Sequence, residues 1–204
     1  MSWNYPAAHK EATLDNYHGY MISDPYRWLE NPDSPEVHAW IDAQNSITRQ
    51  FIDAESSRER IHQRLKTLVD FPRYGAGFRS GTHCFFDLNN GLQDQAVMYQ
   101  QDDANGPLHV VFDPNMLSTD GTLALVTRAL TRDGSLMAYG ISSSGSDRQI
   151  IRVRQLETGY DYPEILEHCR STTIAWKDDQ SGFFYDRYPA PASGEDPYRY
   201  SRIY

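Results

Sequence analysis

The sequence predicts a mainly β protein preceded by an N-terminal α segment. Three observations carry this. Aromatic residues make up 13% of the chain, with 14 tyrosines, and tyrosine favours strands and packed sheet faces. Two stretches before Pro72 keep their apolar residues on one face of a 3.6-residue helix. From Pro72 onward short β-like runs alternate with turn signals, and one pattern recurs.

Residues 1–33 are rich in Pro, Tyr and Asp and show no sustained periodicity. Asp24-Pro25 and Asn31-Pro32 favour turns, because the residue before a proline is pushed away from helix. A first helix is predicted over 34–53. Ser34 suits the N-cap, Pro35 the first helical position and Glu36 the positive helix end. Val37, Trp40, Ile41, Ile47, Phe51 and Ile52 form its apolar face. A second helix follows, with Ser56 and Glu59 at capping-box spacing and a stripe of Ile61, Leu65, Leu68 and Val69. It should end before Pro72.

In the β part, "THCFFDL" and "QAVMYQQ" flank Asn89-Asn90-Gly91, which predicts a tight hairpin turn. "HVVFD", "TLALVTRAL", "SLMAYGIS", "RQIIRVRQL", "TTIAW" and "FFYDRY" are further strands. "RDGSLMAYG" (132–140) resembles "DQSGFFYDR" (179–187), and "RSGTHCFFD" (79–87) is a weaker third copy. Tyr139 and Tyr185 lie 46 residues apart. A period of roughly 40–50 residues with about four strands per unit fits a β-propeller; an antiparallel sandwich with similar strand spacing is the alternative. The string "DPYR" occurs at 24–27 and at 196–199. Its 172-residue separation is no small multiple of the repeat, and chance explains it better than an internal repeat.

The net charge of −9 argues against nucleic acid as a partner, since phosphate binding needs a basic surface. No apolar run approaches the ~18 residues of a membrane span, and the N-terminus lacks signal-peptide regions. With only Cys84 and Cys169, far apart, a reducing cytoplasmic setting is the simplest expectation. No Gly-x-Ser-x-Gly elbow or glycine-rich phosphate loop is present, and "SSSGSD" (142–147) reads as a hairpin loop between two strands. The seven histidines are scattered, none at metal-ligand spacing. No catalytic residue, metal site or cofactor is expected within these 204 residues.

The chain resembles the N-terminal part of prolyl oligopeptidase, a serine peptidase family. "NYHGYMISDPYRWLENPDSPEVHAWIDAQN" (16–45) looks like the family's first signature. "LQDQAVMYQQD", "VFDPNMLSTDGTLAL", "YGISSSGSD" and "AWKDDQSGFFYDRYP" look like its opening propeller blades, in the right order. The resemblance implies that residues 1–71 are the N-terminal arm of an α/β-hydrolase domain. Residues 72–204 would be about two and a half blades, one, two and part of three, of a seven-bladed propeller. The family cuts short peptides after proline, with the propeller gating access, and the hydrolase domain carries Ser, Asp and His.

That module would lie outside these residues, so this chain alone is expected to be inactive, with the hydrolase domain as its partner. Trp28, Leu29, Trp40, Ile41 and Phe51 would pack against that domain. Without it, and with an open blade edge, the isolated chain is expected to aggregate or fold in part. Asp147 and Arg170 would line the substrate cavity if their face of the propeller meets the hydrolase domain, with Asp147 attracting a peptide's amino end; the alternative for Asp147 is a solvated turn acid. The competing functional class is a non-catalytic propeller fragment that binds or docks, or a pseudogene product.

Overall fold

The computed structural model describes residues 4–103, 105–190 and 200–204. The second "DPYR", at 196–199, lies outside them. Two compact units are present, Met1–Thr67 and Leu68–Tyr204.

The first unit opens with a hairpin, β1 (Leu14–Tyr17) and β2 (Tyr20–Ser23). Sequence periodicity missed it because the strands are four residues each and almost wholly exposed, so no alternation of burial marks them. Its turn was the available signal. His18 and Gly19 are both left-handed (φ 55° and 95°), as a two-residue hairpin turn requires, and the Gly19 amide donates to Asn16 Oδ1 at 2.7 Å. A 3₁₀ turn follows at Arg27–Glu30. Arg27 fixes it to the hairpin by ion pairs with Asp24 (2.6 Å) and Asp15.

Helix α1 (Pro35–Asp53) begins where predicted, with Pro35 at its first position. Ser34 caps it through its carbonyl, which accepts the His38 amide at 3.0 Å, and not through its hydroxyl. Val37 is the helix's buried residue. Trp28 stacks on His9 (centroids 4.4 Å) and meets Trp40 edge-on (6.4 Å). Its indole N–H donates to the His9 carbonyl. Ile41 and Phe51 are exposed, at 41% and 61%.

Helix α2 (Arg58–Val69) ends before Pro72, but the predicted Ser56–Glu59 capping box does not form. Glu55 Oε1 accepts both the amide and the hydroxyl of Ser57, at 3.2 and 3.1 Å. That local turn delays the helix, whose first hydrogen bond is Ile61 N–H to the Ser57 carbonyl. Glu59 instead accepts from Gln63 one turn on.

The second unit is a series of antiparallel sheets. The first contains β3 (Arg73–Tyr74), β4 (Phe78–Ser80), β5 (His83–Asn89), β6 (Val97–Gln101) and β7 (His109–Phe112). The second has β8 (Leu123–Leu130), β9 (Leu136–Ser143), β10 (Arg148–Gln155) and β11 (Leu166–Arg170), in that spatial order. The third has β12 (Ile174–Trp176), β13 (Phe183–Arg187) and β14 (Arg202–Ile203).

Strand alternation decides how they stack. On β9, Met137, Tyr139 and Ile141 face the first sheet, where they join Phe85, Met98 and Phe112 in one core. Ala138, between them, faces the third sheet and meets Ile151, Cys169 and Ile174 in a second core. The three sheets are thus layered face to face, each buried on the side its neighbour covers.

Polar groups tie the layers. Arg128 on β8 makes a two-pronged pair with Asp87 on β5, at 2.8 and 2.5 Å. Trp176 donates from its indole to the Ala129 carbonyl (2.9 Å). Gln95 completes the edge of β8, accepting the Leu125 amide (3.0 Å) and donating to the Leu123 carbonyl (2.7 Å). The Asn89-Asn90-Gly91 stretch departs from expectation: residues 90–96, not a two-residue turn, join β5 to β6. Asn89 is the reason. Its side chain accepts the Gly91 amide (2.9 Å) and an Arg73 N–H (3.0 Å) and donates to the Gln93 carbonyl, building a wide loop.

The three recurring strings all fall on a hairpin early in each sheet, β4–β5, β8–β9 and β12–β13. In the second and third, one chemistry makes the turn. Asp133 Oδ1 accepts the amide and hydroxyl of Ser135 (3.0 and 2.8 Å), and Asp179 Oδ1 does the same with Ser181. The Ser135 amide, with the Thr131 and Ser135 hydroxyls, lowers the Asp133 pKa from an ordinary 3.8 to about 2. A depressed carboxyl pKa contributes stability that is present above the unfolded value and lost as pH falls through the folded one. The wild type should therefore lose stability from pH ~4 down to ~2 through this group. Asp133→Asn should lack that component, read as the difference between the two urea midpoints across the same pH range. Identical pH profiles would refute the assignment.

Candidate functional site

The "SSSGSD" loop joins β9 to β10 as a hairpin. Ser144 and Gly145 are both left-handed (φ 52° and 72°) and make the turn. The Ser146 amide returns to the Ser143 carbonyl (2.9 Å), the Ser142 hydroxyl donates to the Ser146 carbonyl, and the Arg148 amide donates to Ser146 Oγ (3.1 Å). These bonds occupy the serines in turn chemistry, and none of them meets a histidine among the described residues.

At the loop's end the structure brings Asp147 and Arg170 together. Arg170 Nε donates to Asp147 Oδ2 at 2.6 Å, and its Nη2 reaches the same oxygen. Strand pairing explains it: Arg148 on β10 stands opposite Arg170 on β11, so the residues flanking that register meet at the sheet's corner. Both side chains are partly exposed, 46% for Asp147 and 38% for Arg170. Beside the corner, Gln149 is buried, and its carboxamide oxygen, turned toward the next loop, accepts the Ser171 amide at 3.1 Å.

Cys169 is 2% exposed, and burial pushes its thiol pKa up, which keeps it a core residue and no nucleophile. His168 is not in regular strand geometry: it is left-handed (φ 62°) in a bulge, where Glu167 and His168 both stand opposite Ile150. No turn residue announces this, so the sequence carries no signal for it.

Elsewhere, His83 Nδ1 lies 2.7 Å from Asp102 Oδ1, and this bond holds the Asp102 carboxyl below its usual range. Gln100 joins the same pair. The neighbouring Cys84 side chain points to the other face of β5, so the cluster has a base and an orienting acid without a nucleophile. Among the described residues, no group of three His, Cys, Asp or Glu is placed to hold a metal ion.

The layered sheets and their repeated opening hairpins have a counterpart in known proteins. Residues 5–204 match the family "Prolyl oligopeptidase, N-terminal beta-propeller domain". The chain belongs to the prolyl oligopeptidase family. Among its relatives, the prolyl endopeptidase of Elizabethkingia meningoseptica is 34% identical over 190 residues, covering 93% of this chain and 27% of that protein. That of Elizabethkingia miricola is 35% identical over 193 residues, covering 95% and 27%.

A solved structure from a study of two prolyl endopeptidases, concerned with inter-domain dynamics in catalysis and specificity, superposes with a TM-score of 0.85. It is 30% identical and covers 98% of this chain and 30% of its own. Prolyl oligopeptidase B of Galerina marginata, bound to a 25-residue macrocyclization substrate, gives 0.77 at 27% identity, with 95% and 30% covered. The chain therefore spans about 27% of the curated relatives' length and corresponds to the N-terminal β-propeller domain of a prolyl oligopeptidase. The propeller alternative holds, and the sandwich does not.

Proposed function

We propose that this chain is the opening part of a serine endopeptidase that hydrolyses short peptides on the C-terminal side of proline. The observation that carries this is the family match over residues 5–204, with relatives that are prolyl endopeptidases. The three sheets are read as blades one, two and part of three of the propeller, residues 72–204. Residues 1–71 serve as the arm of the hydrolase domain. Trp28, Leu29, Trp40, Ile41 and Phe51 are the residues through which that arm packs on the rest of its domain; the exposure of Ile41 and Phe51 supports this. The nucleophile and its base come from sequence other than residues 1–204.

In this reading the propeller limits entry to peptides short enough to pass it, and the Asp147–Arg170 corner lines the cavity they reach. Arg170 holds the carboxylate in place at 2.6 Å, while 46% exposure leaves it accessible to a peptide's ammonium group. In a complete enzyme carrying this segment, Asp147→Asn should raise KM about tenfold for peptides with a free amino end. It should leave KM unchanged for N-blocked ones. Equal effects on both substrates would remove Asp147 from this role.

A chimera tests the function as a whole. Residues 5–204 replace the matching segment of the Elizabethkingia meningoseptica prolyl endopeptidase, and hydrolysis of benzyloxycarbonyl-Gly-Pro-para-nitroanilide is followed. Activity in the chimera, with none from residues 1–204 alone, is the expected result. A folded but inactive chimera would favour a segment that only binds.

A further inference from the structure

A cavity of about 820 Å³ opens on the second sheet and is built within the second unit. Its floor is apolar: Leu123 on β8, Ile141 on β9 and Ile150 on β10. Arg148 and Arg152, two and six residues along the chain from the hairpin's last serine, share that face by strand alternation and also line it. Glu167, at the β11 bulge, is the one carboxylate among the lining residues, against two guanidinium groups. Asp147 and Arg170 do not line this cavity, which separates it from the corner described above.

Arg152 is the decisive residue. Its Nε is buried and has no hydrogen-bond partner. Its neighbour two residues on shows what a satisfied arginine looks like in this fold: Arg154 binds Asp161 through Nε at 2.8 Å and Nη2 at 2.6 Å. A buried guanidinium N–H left without an acceptor is costly. The bulge adds to this, because left-handed His168 turns the β11 backbone at the cavity wall, and such irregularities cluster at binding sites.

We infer that this cavity binds a small organic carboxylate with an apolar body, its carboxylate accepting from Arg152 and its body lying on Leu123, Ile141 and Ile150. Nε itself is closed to the cavity, so the carboxylate accepts from the outer nitrogens of the guanidinium that lines it, and that planar group is suited to a planar carboxylate. The apolar floor rejects a free inorganic anion, which has no surface to bury there. Two sources share this chemistry, an acyl-chain acid and a peptide ending in a free carboxylate. The inference does not depend on the peptidase reading.

The test is calorimetric titration of the full chain with decanoate, decanamide and benzyloxycarbonyl-Gly-Pro acid. At least one acid should bind saturably at a single site, and the uncharged amide should bind about tenfold more weakly than decanoate if decanoate is the acid that binds. Decanoate alone identifies an acyl acid, and the peptide acid alone identifies a peptide terminus. Arg152→Gln should weaken the binding acid about tenfold or more and leave decanamide unchanged, and Ile141→Trp, which fills the floor, should abolish both. Near-ultraviolet circular dichroism checks that each variant is folded. If a variant is not, wild-type acid against amide decides the matter. Binding of neither acid, equal binding of acid and amide, or an acid indifferent to Arg152→Gln overturns the inference.

Discussion

Tyr139→Ala should destabilise the second unit by about 3–5 kcal/mol, the range for deleting a buried aromatic. Tyr139 is 0% exposed and sits in the core between the first and second sheets. Its ring lies 4.8 Å from that of Phe112, and Arg154 stands 4.8 Å over the Phe112 ring. Its hydroxyl donates to Asp161 Oδ1 at 2.8 Å, the oxygen that also accepts from Arg154 Nε. Burial, then the Asp161 carboxylate, pushes the phenol pKa up to about 12, so the group remains a donor at any working pH. Burial alone would raise the Asp161 carboxyl, but the Arg154 and Tyr139 bonds outweigh it and hold the carboxyl below its ordinary range.

The alanine variant thus opens a cavity and withdraws a donor from a half-buried carboxylate. Tyr139→Phe withdraws the donor alone and should cost about 1–3 kcal/mol. Urea denaturation measures both: the midpoint should fall in that order while the slope stays the same. A loss below 1 kcal/mol for Tyr139→Ala would show that this core does not hold the two sheets together.

The second large effect is expected at Gly81, in the turn between β4 and β5. Gly81 has φ +60°, and a Cβ there would lie 2.9 Å from the Asp133 carbonyl carbon and closer still to its oxygen. Asp133 belongs to the corresponding turn of the second sheet, and Ser80 Oγ donates to the Thr131 carbonyl at 2.6 Å beside it. The two turns touch backbone to backbone. Gly81→Val should cost about 1–2 kcal/mol for the left-handed conformation and about 1–3 kcal/mol for overpacking. Gly159 (φ +69°) is the control, because nothing lies within 4 Å of a Cβ there. Gly159→Val should cost only the conformational part. If the two variants melt alike, the contact between turns carries no energy. Faster amide exchange at Gly134, which donates to the Thr131 carbonyl, should accompany the Gly81 change alone.

Much of the architecture could be read from short stretches. Ser34-Pro35-Glu36 and the apolar steps through Ile52 placed α1. Turn signals on either side of "SLMAYGIS" and "RQIIRVRQL", Asp133-Gly134 and Ser144-Gly145-Ser146, placed β9 and β10 as β-like runs between turns. The recurring Asp, Ser and Gly turns marked the hairpins that open the second and third sheets, since an Asp side chain closes such a turn by itself. What failed was also local. Asn89-Asn90-Gly91 looked like a two-residue turn, but the Asn89 carboxamide found partners in Arg73 and Gln93, and the loop widened. The Ser56 capping box lost to Glu55, a competitor one residue beyond the motif.

The candidate sites divide along the same line. Asp147 and Arg170 are 23 residues apart and could be placed on one face from strand order, yet their pairing depends on the register of β10 with β11. That register breaks at Ile150, where two residues of β11 face one of β10, and nothing in "LEHCR" announces it. The orphaned Arg152 Nε, the cavity floor and the Arg128–Asp87 bridge likewise exist only once sheets are stacked. Turns and alternation are settled by contacts within a few residues of chain. Bulges, buried donors and cavities are settled by which distant backbone arrives opposite them, and that is a property of the packed sheets.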